Sequence, residues 1–261
     1  MLVFLPIATY HSWWLKQSQK IINQGNLTMK VEKFKLYHYP ATRSARVKWM
    51  LHETVGDDFE VEVIPLYEAV QYQPEYLAKN PNHAVPLLEM TLENGESQSM
   101  LESGAMVALL ADIFPDKQLA PSTDNPLQRA DYLHMLHFSA SWMDMILWQI
   151  RLHKDLLPPA ERDSKTLSRY LKKFINEIEL QLIVRLEKTA FICGDQFCAA
   201  DCIVAHNVMW ARGYGLCQDQ VFGQYLSKVT KRPAFLSAFA DAKQFSPQVP
   251  EGSNLDQLVT G

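Results

Sequence analysis

The sequence predicts a mixed α/β N-terminal domain followed by an all-α helical C-terminal domain. Three observations carry this expectation. Short alternating or apolar runs recur at 34–38, 59–63, 86–92 and 97–101, with helical spacing between them. The pair Asn94-Gly95 separates the last two runs and marks a hairpin, since both turn residues must adopt positive φ. Beyond residue 126 no strand pattern returns, and apolar residues step by three and four.

Phe34 to His38 alternates as a strand and Pro40 ends it. A helix over 44–55 places Val47, Met50 and Leu51 on one stripe and stops at Gly56. Phe59, Val61 and Val63 alternate with Glu60 and Glu62 in a second strand. The polar stretch 67–79, with Pro74 inside it, predicts one weak helix. Strands at 86–92 and 97–101 form the hairpin, and a helix follows over 103–114. The order is β-α-β-α-β-β-α. Residues 116–126, rich in Pro, Ser, Asp and Asn, read as a linker. Helices are then expected over 127–154, 164–189, 199–212, 220–230 and 233–245.

These boundaries give an N-terminal domain over 29–115, a helical domain over 127–246 and a loose polar tail over 247–261. Residues 1–28 read as an extension outside the fold. Their apolar start lacks a preceding basic residue and spans about fifteen residues, short for a membrane crossing. With 48% hydrophobic and 21% charged residues, the 261-residue chain has the composition of a packed globular protein. A net charge of -4 supplies no electrostatic footprint for nucleic acid. Cys193, Cys198, Cys202 and Cys217 form no Cys-x-x-Cys pair, so neither a zinc site nor a dithiol motif is expected. Asp131, His134 and His137 step by three twice, which does not put all three on one helical face, and no metal site is assigned there.

Three local features carry chemistry. In Asn80-Pro81-Asn82-His83-Ala84-Val85-Pro86 a proline opens a strand and suits a tight, cis bend. The Val85 amide and carbonyl would then face outward, free to pair with an extended peptide. Glu102-Ser103 lies where a strand meets a helix, and Ser103 as a cap would offer its amide and hydroxyl to a carboxylate. Tyr39-Pro40-Ala41-Thr42-Arg43-Ser44 would set hydroxyls and amides beside a helix N-terminus, where a thiol becomes more acidic.

At these spacings the features resemble the cytosolic glutathione transferases. Asn80 to Pro86 is similar to that family's Asn-Pro-x-His/Gly-x-Val/Ile-Pro segment, and Glu102-Ser103 to its Glu-Ser or Gln-Ser pair. Gly194-Asp195-Gln196-Phe197-Cys198-Ala199-Ala200-Asp201 resembles its Gly-Asp-x-x-Ser/Thr-x-Ala-Asp segment. The resemblance spans about residues 33–245. It implies a thioredoxin-like N-terminal domain, glutathione as co-substrate, no metal, and transfer of glutathione to a small hydrophobic electrophile. It also implies a cytoplasmic, detoxifying homodimer with neither nucleic-acid nor membrane partners.

Position by position, the resemblance implies that Val85 and Pro86 present the backbone that pairs with the cysteinyl unit of glutathione. Glu102 and Ser103 would hold the γ-glutamyl end, and His83 would approach the glycyl carboxylate. Thr42 falls on the thiolate-stabilising serine of the theta-like classes, with Ser44, Tyr39 or the backbone amides as alternatives. Arg43 falls where the beta class carries cysteine. Ala84 departs from a carboxylate-binding lysine, and Cys198 from a Ser/Thr cap. Tyr132, Met135, Phe138, Trp142, Trp210 and Tyr214 are candidates for an apolar second-substrate pocket. Other glutathione-dependent reactions (disulfide exchange, dehalogenation, isomerisation) or a non-catalytic interaction module are the alternative readings.

Overall fold

The computed structural model describes residues 30–256; the extension expected over 1–28 and the last five residues of the tail lie outside them. A four-stranded sheet has the order β2-β1-β3-β4, built from β1 (Val31–His38), β2 (Glu60–Val63), β3 (Leu87–Leu92) and β4 (Ser97–Met100). The β1–β2 pair is parallel and the other two pairs are antiparallel. This sheet and its helices are the expected thioredoxin-like domain, and the rest is mostly helical. β1 starts at Val31, earlier than the alternation at 34–38 indicates, because Val31 pairs with Leu92 across a bulge.

Helix α1 (Arg43–Thr54) buries Val47, Trp49, Met50 and Leu51 against the sheet and the helical half. The single helix expected over 67–79 is instead three short pieces, Leu66–Glu68, Val70–Tyr72 and Pro74–Leu77. Ala69 at φ 58 breaks the first from the second, and Pro74, which lacks a backbone donor, opens the third. Helix α2 (Ser103–Ile113) closes the first half.

The long helix expected over 127–154 is α3 (Pro126–His137) and α4 (Asp144–Arg151), with π-helical segments Phe138–Met143 between them and Leu152–Leu156 after them. The first widening has a local cause. Ser139 and Ser141 hydroxyls bond back to the Met135 and His137 carbonyls at 2.7 and 2.6 Å, and the Asn207 side chain takes the Ser139 carbonyl at 2.8 Å. Helix α2 packs directly on this segment. A Cβ on Gly104 would stand 2.7 Å from Ala140 Cβ, so the close approach requires glycine.

The helix expected over 164–189 is α5 (Ser164–Lys173) and α6 (Leu180–Leu186), separated by π-helical Phe174–Glu179. Then come α7 (Ala199–Arg212), α8 (Gln220–Val229) and α9 (Pro233–Ala238). Buried Asp201 opens α7 by accepting the Cys198 amide at 2.9 Å, the Ile192 amide at 2.9 Å and the Tyr225 hydroxyl at 2.8 Å.

The two halves share one core. Trp49 of α1 is fully buried, with ring centres 5.6 Å from Phe197 and 5.0 Å from Phe235. Glu53 binds Arg232 through two bonds of 2.6 and 2.7 Å. Near the C-terminal end of the described residues, two hydrogen bonds reach back to the N-terminal half. Ser246 accepts the Tyr67 hydroxyl, and the Asn254 amide group reaches the Glu68 carbonyl at 3.3 Å. No helix among the described residues is long and apolar enough to cross a membrane.

Candidate functional site

Strand register brings the three chemical segments to one end of the sheet. Tyr37 pairs with Leu87, and Leu88 pairs with Met100. The chain leaving β1 (39–44), the chain entering β3 (85–86) and the chain leaving β4 (101–103) therefore lie side by side.

Thr42 is the N-cap of α1, half-buried, with φ -87 and ψ -175. Its hydroxyl donates to the Tyr39 carbonyl at 2.8 Å, and it lies 2.9 Å from Ser44 Oγ. Ser44 is fully buried. Its oxygen accepts the Tyr39 amide at 3.0 Å and sits 2.7 Å from His38 Nδ1. His38 Nε2 is 3.1 Å from Asp241 Oδ2, which also takes Lys48 Nζ at 2.6 Å. Burial, then the Lys48 charge, push His38 down to about 4, with Asp241 opposing. The imidazole is therefore neutral at physiological pH. Its Nε2–H donates to Asp241, so Nδ1 accepts the Ser44 proton. Of the two hydroxyls assigned to thiolate stabilisation, Thr42 faces the surface while Ser44 is committed inside.

The loop before β3 is braced from within. Buried Asn80 donates to the Ala84 carbonyl at 2.6 Å and accepts the Asn82 amide at 2.9 Å, and Tyr76 also donates to the Ala84 carbonyl at 2.6 Å. The Val85–Pro86 bond is cis. Among the described residues, neither the Val85 amide nor its carbonyl has a hydrogen-bond partner. His83, at φ 44, is exposed and stacks on Tyr72 with ring centres 4.8 Å apart.

Ser103 is not the cap of its helix. Glu102, at φ 70 and exposed, holds the cap position, and Ser103 is the first helical residue. A non-glycine residue at this φ persists only where its surroundings impose it. Ser103 Oγ accepts Arg46 Nε at 3.1 Å, which leaves its own proton free to donate outward.

Arg46 belongs to a charged cluster behind the turn. It is fully buried and donates to Asp144 Oδ1 and Oδ2 at 3.1 and 3.3 Å, and to Asn207 Oδ1 at 3.4 Å. Arg43 Nε donates to the same Asp144 carboxylate. Burial pushes the Asp144 carboxyl up, but Arg46 and Arg43 outweigh it and hold it below the usual range. Nearby His206 is pushed down to about 4 by burial, then by Arg46.

Of the residues expected in a second-substrate pocket, only Trp210 meets the turn, 5.1 Å from the Arg43 guanidinium. Tyr214 lies beside it, donating to Asp155 Oδ2 at 2.8 Å. Tyr132 and Met135 are core residues sealed from solvent, because the stripe they share points into the bundle. Phe138 packs on His134. Trp142 is 40% exposed, with Lys173 Nζ 4.7 Å from its ring centre. His38, Arg46, Asp144 and Asp241 carry no mark of a site in the sequence. Only helical periodicity could have pointed to any of them, by placing Arg46 on the buried face of α1.

Residues 36–118 match the family described as glutathione S-transferase, N-terminal domain. The chain is 28% identical to glutathione S-transferase GstB of Escherichia coli K12 over 63% of this chain and 77% of the relative. It is 30% identical to glutathione S-transferase D7 of Drosophila melanogaster over 40% of this chain and 44% of the relative. Among solved structures it resembles a Burkholderia graminis glutathione transferase with two glutathione molecules per subunit (TM-score 0.71, 21% identity, 94% of this chain and 100% of that one). It also resembles a sphingomonad glutathione S-transferase complexed with glutathione (TM-score 0.67, 24% identity, 81% of this chain and 100% of that one).

Proposed function

We propose that this chain, a member of the glutathione transferase family, binds glutathione along β3 and conjugates it to a small electrophile. The observation that carries the reading is the convergence at one sheet end of the Thr42 hydroxyl, the unpaired Val85 backbone and the Ser103 hydroxyl. Val85 pairs with the cysteinyl backbone, as an added strand would. Ser103 and the free amides at the start of α2 receive the γ-glutamyl carboxylate, with Glu102 at the amino end. His83 stands toward the glycyl end. The glutathione held by solved structures of the same fold, at 21% and 24% identity, supports glutathione as the ligand.

The Thr42 proton, given to the Tyr39 carbonyl in the free protein, turns to the glutathione sulfur. The N-terminus of α1 adds its dipole. Lowering the thiol by about two pKa units requires roughly 2.7 kcal/mol of thiolate preference, within reach of a charged hydrogen bond and a helix end together. The thiolate then attacks the electrophile, with no covalent enzyme intermediate, and proximity supplies much of the rate. The reading includes a cytoplasmic homodimer acting in detoxification. Disulfide exchange is disfavoured, since the turn holds no cysteine and Cys198, Cys202 and Cys217 are buried elsewhere.

The test is glutathione affinity together with aryl-halide turnover in wild type and Thr42→Ala. Loss of the hydroxyl should lower kcat by roughly 10- to 100-fold, the ~1.5–3 kcal/mol of a hydrogen bond to a charged atom, with glutathione affinity largely kept. Full turnover in the variant would move the role to the backbone amides. Binding without any turnover in wild type would favour a non-catalytic module.

A further inference from the structure

Arg43 occupies the first position of α1, one residue from Thr42. Its guanidinium carbon lies 5.1 Å from the ring centres of Trp148 and Trp210 alike. Such contacts orient the guanidinium plane and leave its edge donors open. Only Nε is engaged, on Asp144; Nη1 and Nη2 have no hydrogen-bond partner among the described residues. The side chain is 30% exposed, one residue from Thr42. Its charge is not cancelled, because Asp144 is shared with Arg46 and one carboxylate faces two guanidinium groups.

A second arginine reaches the same turn by another route. Tyr39 packs edge-on against Tyr67 at 5.6 Å, and the charge of Arg151 acts on the Tyr67 hydroxyl, which itself donates to the Ser246 carbonyl. Arg151 lies 5.1 Å from the Phe245 ring centre, and its buried Nε has no partner. The ground around Thr42 thus carries aromatic rings and two arginines, with Asp144 beside Arg43 and Asp155 beside Tyr67.

We propose that Arg43 binds a carboxylate of the second substrate, and that the preferred electrophiles are flat molecules bearing such a group. This rests on the glutathione reading above. A guanidinium with two adjacent free donors matches a carboxylate in bidentate geometry. Anchored there, the substrate is held one residue from the hydroxyl that steadies the sulfur. For an aryl halide carrying a carboxylate, the sulfur–carbon bond forms and the carbon–halogen bond breaks. The halide leaves with the bonding pair, and the thiol proton passes to solvent.

The experiment compares nitrobenzoate with its methyl ester, which has the same ring and no charge. Binding is read from quenching of tryptophan fluorescence, with and without glutathione. Turnover is read on a chloronitrobenzoate and its ester. Wild type should favour the acid by about 10-fold or more, the worth of a charged hydrogen-bonded pair. Arg43→Gln should bring acid and ester within about two-fold, and Arg43→Lys should keep part of the preference. Arg151→Gln, which leaves Asp144 and its partners untouched, should retain most of it. Equal binding of acid and ester by wild type overturns the proposal, as does a preference that survives Arg43→Gln or that disappears only with Arg151→Gln. Because the comparison is also made without glutathione, a failure of glutathione to bind would sink the transferase reading while the Arg43 assignment is still decided.

Discussion

Two polar networks flank the same turn, and they are built on opposite principles. On one side Ser44, whose oxygen lies 2.9 Å from that of Thr42, donates to neutral His38, and His38 in turn meets Asp241, which also holds Lys48. On the other side Arg43 and Arg46 converge on one buried carboxylate, Asp144. The alternation is local. Residues 42 and 44 project one way and 43 and 46 the other, because the chain is just entering a helix. The neutral chain sets where a proton points. The charged cluster clamps the turn to the helical half, since Asp144 and Asn207 come from α4 and α7. Orientation and anchoring are thus divided between two sets of residues within five positions of sequence.

The comparison breaks most sharply at Asp144. Asp144→Ala leaves a fully buried Arg46 without its counter-charge and should cost about 3–5 kcal/mol of stability, read by denaturant unfolding. An effect below about 1 kcal/mol would mean that the cluster does not clamp the halves together.

Both networks hold a buried histidine, so acid should strain both. His38 and His206 have values of about 4 against an ordinary 6.5. Unfolded chains bind a proton as the pH falls below 6.5, while the folded protein refuses it until near 4. Their stabilising contribution is therefore full above 6.5 and is lost as the pH drops through that window. Each histidine is worth about 3 kcal/mol at most. Around His38 the charged neighbours are Asp241 and Lys48; around His206 they are Arg46 and Asp144. Unfolding free energy measured against pH should fall steeply across this window, and His38→Gln should make the slope shallower. An unchanged slope would contradict a neutral, buried His38.

The smallest expected effect sharpens the neutral side. Ser44→Ala removes the acceptor of the Tyr39 amide and the donor to His38, at a cost of about 1–3 kcal/mol. If Ser44 acts only through Thr42, the thiolate absorbance of bound glutathione should shift its pH midpoint less than in Thr42→Ala. A larger shift would make Ser44 the direct donor.

Much of this site was legible locally. Thr42 reads as a cap before a helical stripe, Pro86 as the opening of a strand, and Glu102-Ser103 as a strand–helix junction, because each depends on neighbours a few residues away. Ser103 shows the limit of such reading. Its place at the junction was correct, but whether it caps the helix or begins it depends on the φ of Glu102, which the surrounding structure imposes. The second-substrate candidates on α3 fared worse. A helical stripe containing Tyr132 and Met135 reads the same whether it faces a cleft or a core, and here it faces the core.

The sequence by itself determined the order of elements, the α/β half followed by a helical half, and the position of the turn at 39–44, since periodicity, turn chemistry and capping are short-range properties of the chain. Tertiary structure alone decided which hydroxyl is open, which carboxylate Arg43 and Arg46 share, and what faces His38. The partners stand far apart in the chain: Arg43 and Asp144 are 101 residues apart, and His38 and Asp241 are 203. No local pattern encodes such a pairing. It exists only once the core around Trp49 has brought the two halves together.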